Sequence, residues 1–203
     1  MPENSTTGPS WIESNFRALL EAAPDAMLIV DALGRIVLAN RQTEELFGYA
    51  KSELLGHKVE VLVPPRFRAK HPGHRSGYFS GNPQARPMGA GLDLSGVRKD
   101  GKEFPVEISL SPLQTPDGPM VISAIRDVSE RRGAEEKFRA LLESAPDAMV
   151  IVDESGKIAL INSQTERLFG YSRQELLGYS VEVLIPERFH AQHVLHRSGF
   201  FRE

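Results

Sequence analysis

The stretch FRALLEAAPDAMLIVDALGRIVLANRQTEELFGY (Phe16–Tyr49) is written again as FRALLESAPDAMVIVDESGKIALINSQTERLFGY (Phe138–Tyr171), 122 positions later. The match runs on through VEVLVPPRF and VEVLIPERF to HRSGYF and HRSGFF, and about two thirds of the aligned positions are identical. A long-period repeat sets the size of the folding unit before any element is assigned. Here that unit is about 120 residues, an ordinary domain length. The second copy stops at Glu203, halfway through it. The expected organisation is a disordered lead-in at 1–10, a flanking helix at 11–23, a whole domain at 24–128, a connecting helix at 129–145 and the front half of a second domain at 146–203.

Within the repeat, hydrophobic spacing gives the elements. Ser10-Trp11-Ile12-Glu13 fits a capping box, and Ile12, Phe16, Leu19 and Ala23 fall on one helical stripe that Pro24 ends. Ala26–Asp31 and Arg35–Asn40 are short apolar runs around Gly34, the pattern of a hairpin. Asn40 is placed to cap the next helix, whose Leu46 and Phe47 point inward before Gly48 ends it. A brief helical turn follows at Glu53–Gly56. Pro64–Phe79 has helical character, with Pro72 and Gly73 expected to interrupt or bend it. The period then becomes two around Leu92 and Leu94, over Phe104–Leu110 and over Met120–Ile125, with turn signals at Asp100-Gly101 and Pro116-Asp117-Gly118. Two hairpins separated by helices predict an α+β fold with one antiparallel sheet and the helices on one face. Ala134, Phe138, Leu141 and Ala145 form a second stripe, which makes 129–145 one helix of about four turns.

The composition is that of a soluble globular chain, 40% hydrophobic and 25% charged with net charge −3. It carries no basic excess for nucleic acid and no apolar run of membrane-span length, so neither is expected as a partner and the expected location is the cytoplasm. The cysteine count is zero, which excludes disulfides, thiolate metal sites and thiol nucleophiles.

Four pieces of the sequence, in order, resemble bacterial PAS domains with their C-terminal PAC segment. They are APDAM-x-IVD, N-x-x-TE-x-LFGY-x-x-x-ELLG, RKDGKEFPVEISLSP and IRDVSER. The resemblance covers 16–131 fully and 138–203 for the front part. It implies a five-stranded antiparallel PAS sheet with short helices on one face, dimerisation through the flanking helices, and detection of a small ligand, redox state, light or a partner for an attached output domain. A homodimer and a kinase or cyclase output domain in a longer parent protein are therefore the expected partners. Alternatives are a fragment of a sensor histidine kinase or diguanylate cyclase, a haem-based gas sensor, or a ligand-free dimerisation scaffold. Within these residues there is no phospho-acceptor histidine box, no nucleotide-binding glycine motif and no GGDEF-like run, so the residues present are expected to be non-enzymatic.

Such domains hold haem, flavin, a fatty acid or carboxylate, or nothing. Without cysteine, a cysteinyl–flavin adduct and a thioether-linked chromophore are excluded, while non-covalent flavin stays open. Pro64–His71 is similar to the stretch carrying the proximal histidine of rhizobial haem-based oxygen sensors, which makes His71 the candidate iron ligand. The following strand of those sensors carries an arginine, whereas Met88–Gly96 offers none and Leu92 lies near that position. The bland alternative is a solvated helix face bearing His71, His74 and Arg75. Ile29, Leu38, Phe47, Leu55, Leu62, Phe67, Ile108 and Ile122, together with Leu46 and Val61, line either a pocket or a filled core. His71-x-x-His74 lacks a third metal ligand, Ser76 and Ser80 lack a nucleophile elbow, and Gly89-Ala90-Gly91 precedes a strand and is no dinucleotide loop.

Two features of the second copy carry expectations of their own. Val37 and Ala39 become Ala159 and Ile161; positions two apart in a strand share a face, so bulk is expected to move along that face and to change pocket or dimer-contact shape. The hairpin at Ala148–Asn162 also lacks the three strands that complete the first sheet, leaving an edge at Met149–Asp153 for a longer chain or a second chain to cover.

Overall fold

The computed structural model describes residues 17–81, 84–88 and 93–200. The expected lead-in, the capping box and the start of the flanking helix, together with Leu92, lie outside them. The chain forms two compact units that meet at Glu130 and Arg131.

In the first unit, helix α1 (17–22) leads into strands β1 (Ala26–Asp31) and β2 (Ile36–Ala39). Helices α2 (Arg41–Phe47) and α3 (Lys51–Leu54), a 3-10 turn at Val59–Leu62, and helices α4 (Pro65–Arg68) and α5 (His71–Ser80) follow. The chain returns to the sheet with β3 (Arg86–Pro87), β4 (Ser95–Val97), β5 (Glu103–Thr115) and β6 (Gly118–Asp127). The order across the sheet is β2-β1-β6-β5, with β3 and β4 both on the far edge of β5, at Ser109–Leu110 and at Glu103–Pro105. Six strands thus occupy five positions, all antiparallel. The expected fifth strand is split in two, and β3 was not foreseen.

Asn40 ties this unit together. Its Oδ1 accepts from Met27 N at 2.8 Å, Thr43 N at 3.0 Å and Thr43 Oγ1 at 2.9 Å, and its Nδ2 donates to the carbonyls of Leu20 and Asp25, both at 3.0 Å. One fully buried side chain therefore caps α2 and fastens it to α1 and to the start of β1. At the other end of α2, Gly48 takes a left-handed φ of 76° and closes the helix on Glu44 O. Phe47 then meets Phe104 edge to face, with centroids 5.5 Å apart. Gly96 of β4 lets the two rings come this close, since a β-carbon would sit 3.1 Å from both and push them apart.

Three expectations are corrected. The inward residue of α1 is Leu20, at 6% exposure, while Leu19 is 71% exposed, because Leu20 lies under the Asn40 contact. Pro72 does not interrupt α5 but occupies its first turn, where its missing N–H costs nothing. Where Val194 replaces this proline, the matching helix starts three positions earlier, at His190. Finally, β2 bulges at Val37: Leu28 pairs Ala39 and Ile29 pairs Leu38, but Val30 pairs Ile36. Val37 and Ala39 therefore do not share a face. Val37 is exposed and Ala39 buried, as are Ala159 and Ile161, so no bulk slides along one surface.

The second unit repeats the front half. Helix α6 (Ser129–Ser144) enters it, followed by β7 (Val150–Val152), β8 (Ile158–Ile161), α7 (Ser163–Phe169), α8 (Arg173–Leu176), 3-10 turns at Val181–Leu184 and Glu187–Phe189, and α9 (His190–Phe200). Asn162 makes the same five bonds as Asn40, to Met149, Thr165 (twice), Leu142 and Asp147. Leu142 is consequently the buried residue of α6, whereas the expected stripe residues Phe138 and Leu141 stay exposed. Among the described residues β7 pairs only with β8. Phe169, the counterpart of Phe47, is 39% exposed where Phe47 is 1%, because no Phe104 or Gly96 reaches it.

Asn40→Ala strands two amides and two carbonyls in a dry site, so it should lower the stability of the first unit by about 3 kcal/mol or more. This would be read as a shift of its urea transition. The exposed neighbour Arg41→Ala should change it by less than about 0.5 kcal/mol.

Candidate functional site

Between the sheet and the short helices of the first unit lies a cavity of about 680 Å³, within the range of small-molecule sites. Its floor follows from strand register. Leu28 and Leu110 both pair with Ser123, Val30 pairs with Val121, and Ile108 pairs with Ile125. All seven of these residues line the cavity. Leu62, Phe67, Tyr78 and Phe79 close it from the helical side, and Phe47 and Gly96 form one end.

Of the residues singled out from the sequence, His71, Phe47, Leu62, Phe67 and Ile108 lie on this wall. Ile29, Leu38 and Ile122 do not. Ile29 pairs with both Leu38 and Ile122, one residue out of phase with Leu28 and Ser123, so the three side chains face the opposite side of the sheet. Leu55 caps α3 and is largely exposed. Leu92 lies outside the described residues.

The wall residues missed from the sequence are chiefly Val121, Ser123 and Ile125, with Lys70, Tyr78 and Arg86. The signal for the first three was present. A two-residue loop at Pro116–Asp117 puts Thr115 opposite Gly118, and counting back from that loop brings Ile108 opposite Ile125. Alternation alone could not choose the phase, since β6 is apolar on both faces.

The helical wall is held by a largely buried ion cluster. Glu60 Oε1 accepts from His71 Nδ1 and from Arg75 Nη1, each at 2.9 Å. The Arg75 guanidinium lies against the β1–β2 turn, where a β-carbon on Gly34 would fall 1.4 Å from Nη1. Gly34 is thus needed for space as well as for its φ of 82°. The cluster recurs in the second unit: Glu182 accepts from His193 at 2.9 Å and from Arg197 at 3.3 Å, and Arg197 lies on Gly156. Burial pushes the Glu60 carboxyl up, but the His71 hydrogen bond, its own backbone N–H and the Arg75 and His71 charges outweigh this and leave it below the usual value. Glu182 is held at about 2: burial opposes, while bonds from Ser180, His193 and its own backbone, with the charge of Arg197, prevail. His71 Nε2 has no protein partner among the described residues, so its ring is oriented by Glu60 with one nitrogen left over.

From the cavity a polar path leads to the exit helix. Arg98, just after β4, donates to the carbonyl of Leu46 in α2 and to Asp127 Oδ2 at 2.8 Å, and covers the Phe104 ring at 4.1 Å. The other oxygen of Asp127 accepts from Ser129 N, the first residue of α6, at 2.8 Å. One carboxylate therefore links the wall residues Phe47 and Gly96, through their neighbours Leu46 and Arg98, to the start of α6.

A five-position antiparallel sheet roofed by short helices over a ligand-sized cavity, with a helix leaving from its last strand, defines a sensor-type α+β module. The chain belongs to the PAS family: a family model described as "PAS fold" matches residues 14–128 and 136–199. Sensor protein FixL of Bradyrhizobium diazoefficiens is 31% identical over 129 residues, covering 64% of this chain and 25% of that protein. Oxygen sensor protein DosP of Escherichia coli is 24% identical over 177 residues, covering 85% of this chain and 22% of that protein. The chain thus spans about a quarter of these relatives. Among solved structures, the PAS domain of an HTR-like protein from Haloarcula marismortui superposes with a TM-score of 0.50 at 24% identity, covering 58% of this chain and 93% of that one, a likeness of fold. The chain is a tandem of sensory PAS units.

Because the Glu60 and Glu182 carboxyls lie below the usual value of 4.5, their stabilisation is complete above that pH and is lost as pH falls through the folded value, for Glu182 between about 4.5 and about 2. Glu60→Gln and Glu182→Gln should therefore be less stable than wild type at pH 7, with the gap closing on acidification in urea titrations at pH 7, 5, 4 and 3. A gap constant across that range would show that carboxylate charge is not its source.

Proposed function

We propose that the first unit senses a small molecule held in the 680 Å³ cavity and relays its occupancy through Arg98 and Asp127 to α6. The single observation carrying this reading is the cavity itself, walled by residues of α2, α5, β4 and β6. A ligand pressing on Phe47, Gly96 or Ser95 bears on the segments that position Arg98, and so on the cap of α6. The output in a longer parent protein is a kinase or cyclase, a choice supported by the sensor names of the relatives. The residues present act as an input module and not as an enzyme. A homodimer through the flanking helices is supported by the exposed apolar side chains Leu19, Phe138 and Leu141. A cytoplasmic setting rests on the composition.

A haem-bound form is the second reading, favoured by the free Nε2 of His71 on the cavity wall. It is weakened by the second unit, where His193 holds the same pose on Glu182 and the described residues contribute no floor strands. Fresh protein scanned between about 350 and 700 nm is expected to show no Soret band. A band lost in His71→Ala would replace the first reading by the second.

The relay is tested by amide exchange. Arg98→Ala should speed exchange in the first turn of α6 about tenfold, with β5 and β6 unchanged. Unchanged α6 exchange would remove Arg98 from the relay.

A further inference from the structure

One buried polar group in the cavity has nothing to bind. Ser123 is 8% exposed, sits in the middle of the floor between Leu28 and Leu110, and its hydroxyl has no hydrogen-bond partner among the described residues. The hydroxyl is open to the cavity, so what enters the cavity must satisfy it, whereas an apolar residue of similar size would make no such demand. Two cations of the cavity, Lys70 and Arg86, lie elsewhere, on its exposed side. Lys70, His74 and Tyr78 repeat every four residues along α5, and Arg86 of β3 covers the Tyr78 ring at 5.2 Å. Among the described residues Lys70, His74 and Arg86 make no ion pair, and Arg86 has only its contact with that ring. The described wall residues carry one carboxylate, Asp93, and three cationic side chains, Lys70, Arg75 and Arg86. The rest of the floor around Ser123 is apolar, formed by Leu28, Val30, Ile108, Leu110, Val121 and Ile125. Among the described residues no asparagine or glutamine lines the cavity, so the several edge groups of a flavin ring would find few partners there.

We propose that the cavity takes an organic acid with an apolar body and a second hydrogen-bonding group at the end remote from its carboxylate. The carboxylate is held on the exposed side by Lys70, His74 and Arg86, the body lies along the apolar floor, and the far group pairs with the Ser123 hydroxyl. This assignment rests on the sensor reading above and narrows it to one ligand class. The two polar ends act differently: the exposed cations attract any acid, whereas Ser123 discriminates, because an acid lacking the far group leaves the hydroxyl unpaired.

Three probes of equal length separate the ends: 10-hydroxydecanoate, decanoate and decane-1,10-diol, titrated calorimetrically into the whole 203-residue chain. The hydroxy acid should bind tightest, about fivefold tighter than decanoate and about tenfold tighter than the diol. Ser123→Ala should erase the difference between the two acids. Lys70→Gln combined with Arg86→Gln should weaken both acids about tenfold and leave the diol unchanged. Both variants alter small or exposed side chains, and urea melts confirm folding. An acid gap that survives Ser123→Ala, a diol as tight as the hydroxy acid, or no binding by any probe overturns the proposal. The sensor reading falls separately, when native mass spectrometry finds no retained molecule and α6 exchange ignores Arg98→Ala.

Discussion

Everything in this fold hangs on a buried asparagine. Asn40 saturates both ends of its amide, and its five bonds reach three separate pieces of chain: the end of α1, the start of β1 and the first turn of α2. No other neutral side chain combines this reach with two donors and a two-lone-pair acceptor except glutamine, whose extra methylene would displace the group from the cap. By fixing where α2 begins, Asn40 fixes where it ends, at Gly48, and so where Phe47 points. Phe47 then forms an end of the cavity, and the backbone beside it is gripped by Arg98. The cavity and its relay to α6 thus trace back to one capping residue.

The Glu60 cluster fixes the other side. Arg75 reaches from α5 over Gly34 to Glu60, so the helix that walls the cavity is clamped to the β1–β2 turn and to the 3-10 turn at once. A carboxylate held by an arginine and a histidine in a largely buried place is costly to break, since removing Arg75 leaves its charge uncompensated. The wall is for that reason a poor hinge. Changes caused by a ligand are better accommodated at the far edge of β5, where β3 and β4 are short and separately paired. That edge adjoins Arg98.

Much of this was legible in the sequence, and the failures have a common cause. The hairpins, the caps at Asn40 and Gly48, the turns at Gly101 and Pro116–Asp117 and the helical run of α6 rest on local chemistry, which spacing reports faithfully. Which face of an element is buried depends on partners distant in sequence. Leu19 was favoured over Leu20, and Phe138 with Leu141 over Leu142, because the stripe was drawn without the asparagine that docks the next residue. Ile122 was favoured over Ile125 because both lie in a strand apolar on each face. Val37 was paired with Ala39 because a bulge leaves no mark in hydropathy.

The repeat itself separates what is structural from what is specific. The asparagine hub and the Glu–His–Arg cluster appear in both units with nearly the same distances, although the described part of the second unit has no floor strands. They belong to the front half of the fold and are complete without a cavity. Retention of His71 as His193 is therefore accounted for by the bond to Glu60 and Glu182, and argues for no ligand. Groups that choose a ligand must lie where the front half does not reach. Ser123 and Arg86 meet that condition, each on a strand that closes the sheet of the first unit. Lys70 meets it differently: it sits in the repeated half but becomes Gln192, losing its charge while the neighbouring histidine is kept. The duplicated residues account for the frame, and of the groups proposed to choose a ligand only His74 is duplicated, as His196.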